Sequence, residues 1–130
     1  MNRDQKVESI RPQLALENIN TRPIEKFQND TLRPILKLQH ELTLFLLINH
    51  RNYKSLNSSK LEEKEYQHTI KKFIQTNIEL KNQLIGVVIG QFMNAELAFY
   101  ITERKEINKR IIQMQVNRYS DTFNTSYSRK

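Results

Sequence analysis

Residues 31–52 read T-L-R-P-I-L-K-L-Q-H-E-L-T-L-F-L-L-I-N-H-R-N, and this stretch decides the fold class of the chain. Pro34 fits the first turn of a helix, because the first backbone N–H groups of a helix have no intrahelical partner. From Leu42 to Ile48 nearly every side chain is apolar, so the helix has no water-facing side there. Such a helix is either the buried centre of a small bundle or a surface that binds a partner.

Helical signals dominate the rest of the chain. Two glycines and three prolines leave little material for the turns that a β-protein needs. The polar first residues, interrupted at Arg11–Pro12, predict an N-terminal arm over residues 1–20 with one short helix at most. A helical domain then covers residues 21–123, and a polar C-terminal tail that frays covers residues 124–130.

Cap residues predict where the helices begin. Ser or Thr with Glu three residues later forms a capping box at Ser59–Glu62 and again at Thr76–Glu79. The first box predicts a helix that starts at Lys60, with apolar side chains at helical spacing at residues 61, 66, 70, 73 and 74. The second box opens the next helix. Other predicted starts are Thr21 for a short helix that ends near Asn29–Asp30, Asn94 for a short helix through Tyr100, and Thr102 for a last helix that carries Ile107 to Phe123.

The charge distribution favours an acidic partner. The chain has 21 Lys and Arg against 14 Asp and Glu, a formal net charge of +7. Residues 1–60 carry ten basic and six acidic side chains, residues 61–100 carry four and five, and residues 101–130 carry seven and three. Basic ends of this kind favour contact with nucleic acid, an anionic lipid surface or an acidic protein. The alternative is that a modest positive charge only keeps a small protein soluble.

The sequence offers no catalytic, cofactor-binding or metal-ligating constellation. The absence of cysteine excludes disulfides, thiolate metal sites and cysteine nucleophiles. Glu65 and His68 have the spacing of one half of a carboxylate-bridged di-metal site, but the second copy and the further glutamates are missing. No nucleophile with a matching base can be named. We therefore predict no catalytic, cofactor or metal residues and favour a protein that is not an enzyme.

Targeting signals are also missing from the sequence. The N-terminus is charged and lacks the apolar core of a signal peptide. Neither apolar run, 42–48 or 84–89, approaches the length of about 20 residues that spans a bilayer. We expect a cytoplasmic protein without a membrane span.

Residues 84–90 read L-I-G-V-V-I-G, and the capping box upstream favours a helix over a buried strand. Gly86 and Gly90 lie four residues apart, so one face of this helix has no side chains and lets another backbone approach. That face is either a tight internal helix crossing, with Gly90 near the helix end, or a contact with another copy of the small-xxx-small kind.

The last helix carries a polar seam formed by Arg104, Asn108 and Gln115 between two apolar stripes. A helix wedged between two neighbours would bury this seam, where each polar group needs a hydrogen-bond partner. We expect Arg104 and Asn108 to be largely buried and hydrogen-bonded. The seam is then either internal hydrogen bonding or a groove that faces a ligand.

Arg33 and His40 are the other two candidate contacts with a ligand or partner. His40 follows Arg33 and Lys37 on the same predicted helix, so the three side chains are suited to hold an anion. The alternative is that His40 is a partly buried polar residue beside the core.

Five short motifs carry a resemblance to a known group: Arg11-Pro12, Phe27-Gln28-Asn29, Thr31-Leu32-Arg33-Pro34-Ile35, Gly86 to Phe92 and Ile107-Asn108-Lys109-Arg110. Together they resemble small uncharacterised bacterial proteins, some of which carry the label glyoxalase. The resemblance covers most of the chain and implies a lyase activity, but it carries over no active residues. Glyoxalases of the vicinal-oxygen-chelate type bind a divalent metal on strands of paired βαβββ modules, and this sequence has neither the strand pattern nor the ligand set.

These observations predict an all-α, single-domain bundle of four main helices plus one or two short helices. The favoured function is a protein-interaction or homo-oligomerising module. The first alternative is a nucleic-acid-binding protein that uses its basic ends, although no helix-turn-helix or RNA-binding aromatic motif is visible. The second alternative is the glyoxalase or other lyase that the resemblance implies.

Overall fold

The computed structural model describes residues 1–14, 22–53 and 62–128, and every regular element in these ranges is helical. The predicted all-α, single-domain bundle is therefore confirmed, and the run 84–89 is helical. Along the chain the elements are α1 (Arg3–Ile10), α2 (Pro23–Phe27), a π-helical turn (Gln28–Leu32), α3 (Arg33–Leu38), α4 (His40–Ile48), α5 (Glu63–Thr76), α6 (Ile78–Ile89), α7 (Asn94–Thr102) and α8 (Arg104–Ser128).

The core forms where α8 packs against α5, α6 and α7. The apolar side of α5 is buried at residues 66, 70, 73 and 74, as the spacing predicts. From α8 the side chains of Ile107, Ile111, Val116 and Tyr119 are fully buried. Within the described ranges no helix is both long and apolar enough to cross a membrane.

A continuous helix replaces the predicted break near Asn29–Asp30. The N–H of Arg33 bonds to the carbonyl of Gln28, five residues back, instead of the usual four. This wider turn directly precedes Pro34, which has no N–H to donate and whose ring needs room beside the preceding turn. The π-helical turn thus carries the chain past Pro34 without ending the helix, and the prediction of a break there was wrong.

The stretch 42–48 is not a buried centre, which corrects the first of the two interpretations of its apolar character. Leu47 is fully buried, but Leu42, Phe45 and Ile48 are 43%, 61% and 43% exposed. Helix α4 therefore packs on one side only. Its other side presents three large apolar side chains at the surface.

Two predicted capping residues end helices instead of starting them. The Thr76 hydroxyl donates to the Lys72 carbonyl at 2.9 Å, and the Thr102 hydroxyl donates to the Phe99 carbonyl at 2.7 Å. Because each hydroxyl bonds back into its own helix, α6 begins only at Ile78 and α8 only at Arg104.

Helix α5 also begins later than the predicted start at Lys60. The backbone of Glu62 is extended and precedes the first helical turn, so α5 starts at Glu63. Ser59 and Thr21, the other predicted caps, lie outside the described residues. The short helix predicted from Asn94 through Tyr100 is confirmed as α7, which extends to Thr102, but the predicted cap is wrong, because Met93 holds the N-cap position and Asn94 is the first helical residue.

The described part of the N-terminal arm, residues 1–14, contains the short helix α1, which is docked against the α6–α7 connection. The Arg3 guanidinium donates to the carbonyls of Phe92 and Gly90 at 2.6 and 2.9 Å. The Asp4 carboxylate accepts the backbone N–H of Asn94 at 3.0 Å, at the first turn of α7. At the other end of the chain, α8 continues to Ser128. The division into arm, domain and tail stays a prediction.

Candidate functional site

The four predicted contact residues lie along two different grooves beside α8. Arg33 lines a groove between α3 and α8, and His40 touches α8 at the edge of this groove. Arg104 and Asn108 line a second groove, between the first turns of α8 and helices α5 and α6. The structure therefore brings the four residues together only in pairs.

Arg104 is exposed, so the prediction that it is buried was wrong. The prediction of a buried seam depends on neighbouring helices that cover the whole length of α8. The α7–α8 connection lies at the surface instead, and Thr102, Glu103 and Arg104 are all exposed there. The Arg104 guanidinium lies 5.9 Å from the centre of the Tyr100 ring, a distance suited to a cation–π contact.

The other two members of the seam differ in their surroundings. Asn108 is half-buried, and its Oδ1 accepts a 2.7 Å hydrogen bond from the Tyr100 hydroxyl, so the expected hydrogen bonding is confirmed. Gln115 is fully buried, and neither of its side-chain polar atoms has a hydrogen-bond partner in the described part of the chain. The seam is thus exposed at its start and buried further along the helix.

The groove at the start of α8 has a volume of about 700 Å³. It is lined by five cations, with Glu103 and Glu106 as the acidic groups among its lining residues. The cations are Lys71, Lys81, Arg104, Lys105 and Lys109. Arg104 and Lys105 are both exposed, so this groove is open at its rim.

The groove between α3 and α8, called the α3–α8 groove below, has a volume of about 380 Å³. Leu36, which is 1% exposed, and Met114, which is 9% exposed, contribute apolar surface. Of the residues that the structure describes, four cations line it, two from each helix, and Asp121 is the acidic group. These cations are Arg33, Lys37, Arg110 and Arg118.

His40 connects α4 to α8 beside this groove. Its Nδ1 accepts from the Arg118 Nε at 3.4 Å, and its Nε2 lies 3.1 Å from the Thr122 hydroxyl. Burial lowers the pKa of His40, the nearby Arg118 charge lowers it further, and Glu41 opposes them. The imidazole is therefore neutral near pH 7, with Nδ1 available as an acceptor. The interpretation as a partly buried polar residue beside the core is confirmed.

Positively charged side chains from several helices lie close together along α8. Counting described residues alone, the two grooves and a smaller one beside Gln113 are lined by ten Lys and Arg side chains and by three acidic ones. Three of the cations, Lys64, Lys71 and Lys81, come from the near-neutral middle of the sequence. The structure thus gathers charge along α8 that is dispersed in the sequence.

Helices α4 and α6 form a second surface, which we call the outer face: Leu42, Phe45 and Ile48 of α4 with Gly86 of α6. The two helices pack together, and the Gln39 side chain of the α3–α4 junction donates to the Val87 carbonyl at 3.0 Å. A Cβ built on Gly86 meets no other atom within 4 Å. The interpretation of Gly86 as an internal crossing is therefore wrong, whereas Gly90 does end α6 as its C-cap.

Sequence reasoning missed a buried ion pair between Arg11 and Glu96, whose side chains are 7% and 14% exposed. The guanidinium donates to both carboxylate oxygens, at 2.6 and 2.9 Å, and also to the Gln91 carbonyl. The Thr31 hydroxyl and the Met93 N–H donate to the same carboxylate at 2.9 and 2.8 Å. With every carboxylate contact accounted for, the pair fastens the N-terminal arm to α7 and has a structural role.

Among the residues that the structure describes, no group of three or more His, Asp or Glu side chains is arranged to hold a metal ion. No family model matches the chain, and neither a curated protein nor a solved structure does. The resemblance to glyoxalase-labelled bacterial proteins stays a prediction.

Proposed function

We propose that this protein is a helical interaction module that self-associates through the outer face. The observation that carries this proposal is the stripe Leu42, Phe45 and Ile48, which is exposed at one side of α4, the helix that packs against α6 with its exposed Gly86. Large apolar side chains that lie together on a surface are typical of interaction sites. The exposed Gly86 of the neighbouring helix has no side chain, so it lets a second backbone approach closely.

Burying the stripe in a dimer contributes a modest free energy of association. Each of its side chains has roughly half of its surface left to bury. Full burial of such a side chain contributes about 1.5–3 kcal/mol, so completing three of them contributes about 2–4 kcal/mol per copy. Because association itself costs several kcal/mol, we expect a dimer whose population depends on concentration.

The charges at the ends of the stripe favour a second copy as the occupant. Glu41 precedes Phe45 by four residues and Arg51 follows it by six, and both are exposed. The ion pair that Arg51 makes within the described residues is loose, with its guanidinium 3.9 Å from the Glu79 carboxylate. Two copies with antiparallel α4 helices therefore place Glu41 of one beside Arg51 of the other. Such a two-fold contact is self-complementary, and its charged rim sets the orientation.

The test is the mass of the protein in solution across a concentration series, measured by sedimentation equilibrium. The wild-type mass should rise from the monomer value of 15.6 kDa towards the dimer. Phe45→Glu should hold the protein at the monomer mass without lowering its melting temperature, because Phe45 is 61% exposed. Ile101→Glu on α7 is the matched control, since Ile101 is 57% exposed but lies outside the outer face.

Gly86→Leu tests the close approach of the backbones independently. The free chain has room for the new side chain, so it should fold normally, yet the side chain should weaken the dimer. A wild-type protein that stays at 15.6 kDa at the highest concentration refutes the proposal. Loss of association in Ile101→Glu with association kept in Phe45→Glu would move the contact to α7 and refute it as well.

A further inference from the structure

We propose that the α3–α8 groove is a binding site for the phosphate group of a small phosphorylated ligand. The site shares no residue with the outer face and does not depend on self-association. The inference rests on the charges of the groove, on its shape and on its contact with His40.

The first argument is an excess of cations that have no acidic partner. Neither Arg33, Lys37 nor Arg118 forms an ion pair in the described part of the chain. The Arg118 guanidinium is half-buried, and its Nε has a neutral partner, the His40 ring. A half-buried guanidinium beside a neutral ring is stabilised by an incoming anion more than an exposed lysine is.

The fourth cation, Arg110, is held in place at the edge of the groove. Its Nε donates to the Glu106 carboxylate at 3.1 Å, and its Nη1 donates to the Gln28 amide oxygen at 2.8 Å. Among the described residues Asp121 lines the groove and Glu106 pairs with Arg110, so four positive charges face two negative charges. An excess of two matches a phosphate dianion better than a carboxylate, and guanidinium groups bind phosphate oxygens in pairs.

The second argument is shape. A volume of about 380 Å³ lies within the range of about 300–1,000 Å³ that is typical of small-ligand sites. The buried side chains of Leu36 and Met114 close the groove from the core side, and half-buried Leu14 gives the rest of the ligand an apolar surface to pack on. A phosphate attached to a small apolar body therefore fits the lining better than inorganic phosphate does.

The third argument is the contact between Arg118 and His40, because it lets the titration of His40 report phosphate binding. The charged groups that act on its ring are Arg118 on α8 and Glu41 on α4, and Asp121 on α8 acts in turn on Arg118. An anion held by Arg118 offsets the positive charge that disfavours the imidazolium form. Bound phosphate should therefore shift the His40 titration to higher pH, whereas His50 and His68 serve as internal references.

The experiment is a titration with phenyl phosphate, followed by calorimetry and by NMR of the imidazole signals. We expect saturable one-to-one binding, with the shift confined to His40. Lys37→Gln and Arg118→Gln should each weaken binding about tenfold, the effect of losing one charge-assisted contact. Lys105→Gln and Lys109→Gln remove the same charge from the neighbouring groove and should leave the affinity unchanged.

Lys37 is exposed, so its variant should fold even if the Arg118 variant does not. Absence of saturable binding at millimolar phenyl phosphate would overturn the proposal. Equal weakening by the Lys105 and Lys37 variants would also overturn it, because the effect would then come from overall charge. A site that binds a short DNA duplex but not phenyl phosphate would assign these cations to nucleic acid and refute the small-ligand site.

Discussion

Replacing Glu96 by glutamine should destabilise the protein by about 3–5 kcal/mol, because the change leaves a buried guanidinium without its counter-charge. Arg11 is only 7% exposed and donates to both oxygens of the Glu96 carboxylate. A glutamine keeps one acceptor oxygen but places an amide NH₂ where the second oxygen stood. The loss is a large share of the roughly 5–15 kcal/mol that stabilises a typical domain.

The assay is urea denaturation followed by far-UV circular dichroism. Glu25→Gln is the matched control, because it removes the same charge from an exposed pair with Arg22. An exposed pair contributes at most about 1 kcal/mol, so the control should change little. A second variant, Arg11→Met with Glu96→Leu, should recover most of the stability, since it removes both buried charges together. If Glu96→Gln loses no more stability than Glu25→Gln, the network does not fasten the arm and the reasoning fails.

The same pair makes a prediction about pH. Burial raises the pKa of Glu96, but hydrogen bonds from Arg11, the Met93 N–H and Thr31 outweigh it, so the folded pKa lies below the ordinary value of 4.5. A depressed carboxyl pKa contributes stability that is full above the unfolded pKa and is lost as pH falls through the folded value. The stability difference between wild type and Glu96→Gln should therefore shrink on acidification below 4.5.

Three further predictions concern α8. Asn108→Leu should lower the free energy of unfolding by about 1 kcal/mol, because it removes the hydrogen-bond partner of the Tyr100 hydroxyl. Arg104→Ala should change the free energy of unfolding by less than about 0.5 kcal/mol, and thermal melts of the two variants test the difference. Gln115→Met should raise the free energy of unfolding by about 1 kcal/mol or more, because it removes a buried amide that has no hydrogen-bond partner among the described residues. A variant whose stability in urea is unchanged or lower would contradict this prediction. Any short DNA duplex should bind weakly at low salt through the cations along α8. Fluorescence anisotropy should show that this binding weakens steeply as the salt concentration rises. Sequence-selective binding at physiological salt would instead favour a nucleic-acid function.

Local sequence signals determined the helical class and most of the elements. The apolar spacing over residues 66–74 places one side of α5 in the core, and the structure buries those positions. Asn94 marks the start of α7, and Gly90 ends α6. Such features depend on neighbours within about one helical turn, which is the distance over which spacing and capping act.

The exposure of α4 and of Arg104 was decided by neighbouring helices. A uniformly apolar helix has no periodic polar side, so only the packing of α6 and α8 determines that Leu47 points inward and Phe45 outward. Arg104 is exposed because the α7–α8 connection lies at the surface. Neither outcome can be read from residues within one turn of the position concerned.

The charged sites depend on contacts between residues that are distant in the sequence. Arg11 meets Glu96 across 85 positions, and the α3–α8 groove joins Lys37 of one helix to Arg118 of another. The sequence by itself determined that this chain folds as an all-α bundle with an excess of positive charge. Only the tertiary structure decided which charges are paired and which are gathered along α8, because electrostatic pairing depends on distance in space and on burial, and both are set by how the helices pack.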